Sequence, residues 1–154
     1  VNMRMIKICG LLLLIVSSLL ACAKQEENIE NHFHLSLNGE SNHWKVQHYE
    51  IKCTPKLFKA GDGKIIFKGN DNVKSEFYKI DVHAVIDETD TVVHTKSVSG
   101  ESKLNKIETG SIKGDTYVNK EGNPVTFDEV SRVYMVIEWQ DKQNTKKETI
   151  DLKG

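Results

Sequence analysis

The sequence predicts an all-β fold, an antiparallel sandwich of about seven or eight strands over residues 32–154. Three observations predict it. Ser75–Glu88 and Arg132–Gln140 alternate apolar and polar residues with the period of two that belongs to a half-buried strand. Clusters of Gly, Asn, Asp and Ser interrupt the chain at intervals of roughly 8 to 14 residues, where turns need them. After residue 31 no stretch carries the 3.6-residue apolar period of an amphipathic helix.

A segment of different character precedes the strands. Arg4 and Lys7 are followed by 14 uncharged, mostly apolar residues, Ile8 to Ala21. As a helix this run measures about 21 Å, short of a hydrocarbon core of about 30 Å. The expectation for residues 1–21 is a helical secretory signal rather than a spanning anchor. Val1 reads as a non-AUG start, or the start is Met3 or Met5. The stretch Leu19-Leu20-Ala21-Cys22 resembles the bacterial lipobox: a large aliphatic residue three positions before Cys, and a small residue directly before it. Leu20 stands where Ser, Thr, Ala or Val is commoner. The resemblance implies cleavage between Ala21 and Cys22, a thioether-linked diacylglycerol on the Cys22 sulfur and an N-acyl chain on the new terminus. The mature protein is then a lipoprotein on the extracytoplasmic face of the cell membrane, with membrane lipid as its partner. More than one acyl chain makes such an anchor stable.

Removing residues 1–21 from the 154 leaves 133, enough for one domain with its own core. Taking Arg4 and Lys7 from the 21 basic residues leaves 19 against 22 acids, a net charge of −3. Acids and lysines alternate along the chain, so it lacks the basic field of a nucleic-acid binder. Two prolines and abundant Lys, Asn, Ile and Glu point to an AT-rich genome and lean towards a Gram-positive source. Of three cysteines, Cys9 leaves with the signal and Cys22 carries lipid, so Cys53 has no intrachain partner. It shares parity with Tyr49 and Ile51 and reads as a buried small hydrophobe.

The elements follow in order. Residues 22–31 are polar and read as a flexible tether. Phe33, Leu35 and Leu37 alternate with polar residues as a strand, and residues 38–42 (NGESN) read as a turn. Trp44–Thr54 is a second strand. Its apolar parity switches between Val46 and Tyr49, which a β-bulge at Gln47–His48 reconciles. Lys56–Lys68 reads as a hairpin about Gly61-Asp62-Gly63, and residues 69–72 as a turn. Ser75–Glu88 is a central strand with Tyr78, Ile80, Val82, Ala84 and Ile86 on one face. It turns at residues 88–90 into Thr91–Ser99, its antiparallel partner. Gly100–Ile107 is a loop or an edge. Gly110–Val118 is a short strand before the turn Asn119–Pro124, and Pro124–Val130 is an extended piece or a single helical turn. Arg132–Gln140 points Val133, Met135, Ile137 and Trp139 one way and Tyr134 and Val136 the other. A polar loop at Asp141–Lys147 leads to the closing strand Glu148–Leu152. Trp44 and Trp139 are the large core residues.

Two stretches carry a family likeness. Leu37–Val46 (LNGESNHWKV) resembles the "GES-x-x-W-x-V" opening of small Bacillus-type lipoproteins. Val136–Gln140, a charged loop and Glu148–Leu152 are similar to their closing "I-x-W … E-x-I-x-L" hairpin. The likeness implies an extracytoplasmic immunoglobulin-like sandwich and assigns no activity to any residue.

Chemistry has few footholds. The six histidines all fall between residues 32 and 94. His32 and His34, two apart on a strand, present two imidazoles on one face, as a Cu or Zn site requires. His83 and His94 lie on partner strands and are candidates to approach each other. Asp71, Asp81, Asp87, Glu88 and Asp90 read as solvated acids near turns, without the spacing of a Ca²⁺ loop. There is no GxSxG elbow and no glycine-rich phosphate loop. The expectation is therefore a non-enzymatic binding or interaction module without a cofactor. Its partner is an envelope protein or a cell-wall component; the alternative is a metal-binding lipoprotein using His32 and His34.

Overall fold

The computed structural model describes residues 31–69 and 72–154. The signal, Ala21, Cys22, the tether as far as residue 30, and residues 70–71 lie outside the described residues. The described chain forms two stacked antiparallel sheets. Sheet 1 contains β1 (Phe33–Glu40), β2 (Trp44–Cys53), β3 (Phe58–Gly61), β4 (Lys64–Phe67), β7 (Lys106–Glu108) and β8 (Ser111–Gly114). Sheet 2 runs in the order β10 (Asn144–Leu152), β9 (Val130–Asp141), β5 (Lys74–Ile86), β6 (Thr89–Lys103).

The hairpin expected over Lys56–Lys68 is instead one interrupted strand. Both β3 and β4 pair with the same edge of β2 in one unbroken register, Glu50 opposite Gly61 and Gln47 opposite Lys64. Asp62, with φ 57°, marks a kink in a continuous run where a turn was expected. Residues able to take positive φ serve either purpose; the neighbouring strand decides. Here Asp62 N donates to Gly110 O at 2.8 Å, and Gly63 N donates to Thr109 Oγ1 at 2.9 Å. β7 and β8 form a second interrupted strand, broken at Thr109–Gly110 on the same line. Counted as continuous runs, the described strands number eight, four to a sheet. The expected all-β antiparallel sandwich is present as two packed sheets. The partition is this chain's own: runs one, two, three and six share a sheet, and runs four, five, seven and eight share the other.

The bulge expected at Gln47–His48 is present. Leu37 pairs with Tyr49 and Gly39 with Val46, so β2 carries one extra residue, and His48 takes φ 52°. Asn38 Oδ1 accepts the His48 N–H at 3.1 Å. The bulge lets Trp44, Val46, Tyr49, Ile51 and Cys53 all face the core.

Other boundaries move because pairing extends past the apolar residues. β1 continues through the expected turn to Glu40, since Gly39 and Glu40 pair with Val46 and Lys45. The β5–β6 turn is the two residues Asp87 and Glu88, with φ 47° and 64°, as a tight hairpin of this hand requires. β6 runs on through Gly100 to Lys103. The loop expected at Asp141–Lys147 is a ladder closed by Lys142–Gln143. Its side chains there are mostly exposed, which hid the strand period.

The core lies between the sheets, with Trp44 and Ile65 from sheet 1 meeting Ile80, Met135, Ile137, Trp139 and Ile150 from sheet 2. The sheets are tied on both sides. Asn38 and Lys153 exchange backbone hydrogen bonds at 2.7 and 2.8 Å, linking β1 to the end of β10. On the far side the chain crosses from β6 to β7 through Leu104, which is fully buried. Lys96 of the edge strand β6 points inward and gives its ammonium to Glu108 O. An inward lysine also blunts an open strand edge against unwanted pairing.

Candidate functional site

The first and last parts of the domain meet at one junction. Trp44 and Trp139 pack edge to face with ring centroids 5.3 Å apart, and Phe67 sits 5.0 Å from Trp44. Ser41 Oγ and His43 N donate to Glu148 Oε2, and His43 Nδ1 bonds Oε1. Burial works to raise the Glu148 carboxyl, and the hydrogen bonds from Ser41 and His43 outweigh it, holding the group below its usual value. Gly39 lies so close to β10 that a Cβ there would sit 2.3 Å from Asp151 O. Gly39, Ser41, His43 and Trp44 of the first stretch and Trp139 and Glu148 of the last are therefore spent on joining the ends. Serine, histidine and a carboxylate do come together, but the hydroxyl proton goes to the carboxylate and not to the imidazole. That arrangement braces a turn and does not activate a nucleophile.

The other sequence candidates are dispersed. Ala21 and Cys22 lie outside the described residues. His32 and His34 are both exposed beside a shallow groove of about 330 Å³ that reaches Cys53. His34 lies 3.5 Å from Glu50, and no group of three metal-ligating side chains converges anywhere among the described residues. His83 and His94 do not approach, because a bulge on β6 pairs Val82 with His94 but His83 with Val92. His94 therefore turns into the core, while His83 stays on the outer face. Cys53 is 2 % exposed, and burial pushes its thiol up, partly offset by Thr116 Oγ1 at 3.3 Å. It packs as a small hydrophobe and lacks the electropositive setting of a reactive thiol.

The outer face of sheet 2 is where chemically distinctive groups converge. Register places Asp151, Tyr134, His83 and Val92 in one row across all four strands. His83 stacks on Tyr134 at 4.6 Å and 13°, and the Arg132 guanidinium lies 4.4 Å over the same ring. Arg132 is fixed in turn by Asp151 at 2.6 Å. Tyr134 OH donates to Asp90 Oδ2 at 2.7 Å, and His83 Nδ1 lies 3.2 Å from Oδ1. The Tyr134 hydrogen bond, with help from His83, holds the Asp90 carboxyl below its usual value and raises the Tyr134 phenol. The next row sets Val136 beside Asp81, which accepts from Thr95 Oγ1 at 2.8 Å. Val92, nearly half exposed, ends the first row. Alternation gave one hint of this patch: Tyr134 and Arg132, two apart on β9, had to share the wet face. Its joining to His83 and Asp90 depends on strand order, which alternation does not carry.

The chain matches no protein-family model, no curated protein and no solved structure.

Proposed function

We propose that this chain is a lipid-anchored lipoprotein of the extracytoplasmic membrane face, whose sandwich serves as a binding module for an envelope protein through the outer face of sheet 2. The observation that carries the binding reading is the Arg132–Tyr134–His83 stack, lying on the row that ends in exposed Val92. Tyrosine and arginine dominate protein-binding energetics, because they offer large, stiff contact area at low entropic cost. Here both are already held in place by Asp90 and Asp151, so little ordering remains for binding to supply. The anchor reading rests on the lipobox-like Leu19–Cys22 and the short apolar run before it.

The two halves are tested separately. Cys22→Ser is expected to move the protein from the membrane fraction to the medium; retention of that variant in the membrane ends the anchor reading. A photo-reactive side chain placed at position 92 in intact cells is expected to trap one discrete partner. Tyr134→Ala should weaken that capture about tenfold or more, the loss expected when a central aromatic anchor is truncated. Capture that is unaffected by Tyr134→Ala rules out this face as the recognition surface.

A further inference from the structure

The outer face of sheet 1 carries a charge pattern that neither the core nor the recognition surface uses. Register sets Lys52 opposite Lys59 and Lys59 opposite Lys113, so three ammonium groups stand side by side across β2, β3 and β8. His34 of β1 stands next to Lys52 in the same row. A parallel row places Lys45 beside Ile66, and Ile66 beside Lys106. Like charges directly opposite on neighbouring strands work against a sheet, so this row is a standing cost to the fold. The acids of this face are all engaged: Glu50 with Lys52, Asp62 with Lys59, Glu108 with Lys106, and Glu40 with Lys68 at 3.8 Å. Lys45, Lys64 and Lys113 are exposed and have no ion pair among the described residues. The face is thus seven lysines against four acids, in a chain whose net charge is −1.

A flat, basic surface complements a flat, anionic one. Four strands at about 4.8 Å spacing and about ten residues long cover roughly 20 by 30 Å, and the recess beside His34 and Lys52 is shallow. β1, the first strand after the tether, belongs to this same sheet. The nine residues 23–31 reach at most about 30 Å, so an anchored domain stays within reach of the headgroups and is free to lie on its side. Resting on the anchored reading above, we propose that the lysine face of sheet 1 docks on the anionic headgroups of the bilayer that holds Cys22. This orientation turns the Arg132–Tyr134–His83 face of sheet 2 away from the membrane and towards its partner.

The test is an amine-acylation footprint of the full lipid-bearing chain, reconstituted either into phosphatidylglycerol–phosphatidylcholine vesicles or into phosphatidylcholine alone. In the anionic vesicles at low salt, Lys45, Lys64 and Lys113 should react about fivefold more slowly, relative to the protein in detergent, while Lys142 and Lys147 on the sheet 2 side are unchanged. At about 1 M salt, where the screening length falls to about 3 Å, the difference should vanish. The triple variant Lys45→Glu/Lys64→Glu/Lys113→Glu should abolish the protection of Lys106. Equal reactivity of both faces in anionic vesicles overturns the proposal. So does protection of the same size in neutral vesicles, which would mean a second copy or another protein covers the face. So does protection that appears only when soluble polyphosphate is added to neutral vesicles, which would mean an anionic polymer is the partner. Flotation with vesicles at about 1 M salt reports on the lipid anchor alone. Its loss would end the anchored reading while the low-salt footprint still judges the face.

Discussion

His94 is the residue whose placement most constrains the core. The β6 bulge puts Val93 and His94 inside together, and the His94 imidazole meets Tyr49 OH at 2.9 Å across the sandwich. Burial, and then the Lys96 ammonium, push the imidazole below its usual value, while burial pushes the Tyr49 phenol well up. A neutral phenol donating to a neutral imidazole satisfies both groups. The sign of the linkage follows. In the unfolded chain His94 takes a proton near pH 6.5; in the folded chain it resists until lower pH. Stability is therefore complete above about pH 6.5 and falls as the pH drops below it, until the folded group titrates. The informative quantity is therefore the difference from a variant that lacks this imidazole. Between pH 7 and 5 the urea midpoint of His94→Gln is expected to fall less than that of the wild type. An identical fall in both proteins would show that His94 does not set the acid limb.

Among the elements, the turn at residues 41–43 is held by a partner more than a hundred positions away. Glu148 accepts from Ser41 and twice from His43, fixing the β1–β2 connection to β10. Glu148→Gln keeps the shape and removes the charge; the expected cost is about 1.5–3 kcal/mol, read as a lower denaturant midpoint with an unchanged slope. The carboxyl is held low in the fold, so its contribution is present above the usual carboxylate range and is lost as pH falls through the lowered value. The variant should therefore lack that last acid loss. A midpoint unchanged by Glu148→Gln would leave the turn without this brace. At this scale the strands with one buried face were legible. Tyr78–Ile86 of β5, with Val85 the exception, and Val133–Trp139 of β9 show a period of two, and the parity switch in β2 locates its bulge. The Lys56–Lys68 segment reads as a hairpin because positive-φ residues such as Gly61 and Asp62 look alike in a turn and in a kinked continuous strand. The Asp141–Lys147 ladder was missed because it projects beyond the core, where both faces are polar.

For the whole molecule, local pattern predicts two packed sheets but not their membership. Ile65 pairs with Ile107, and the β7–β8 run returns to sheet 1 after two strands have been laid in sheet 2. Nothing in either stretch records that return, which is a long-range choice made by burial and register. The Arg132–Tyr134–His83 face and the lysine face both emerge only after that choice, so their individual residues are visible in the sequence and their assembly is not. The same choice interlocks the sheets: the crossing at Leu104 ties one side and the Asn38–Lys153 bridge the other. Trp44 belongs to sheet 1 and Trp139 to sheet 2, yet each ring packs on the other. Neither sheet can leave without exposing its partner's tryptophan, so the two should unfold as one unit. Far-ultraviolet circular dichroism, which follows the strands, and tryptophan fluorescence, which follows the interface, are expected to report one coincident transition. Deleting Lys153 and Gly154 removes two backbone hydrogen bonds at one seam, which should cost about 1–3 kcal/mol. The shortened chain should still unfold in a single step, because Leu104 and the tryptophan pair hold the sheets together. Separate transitions by the two probes in the intact chain would mean that the sheets are independent folding units. Separation only in the shortened chain would place the decisive tie at Asn38–Lys153.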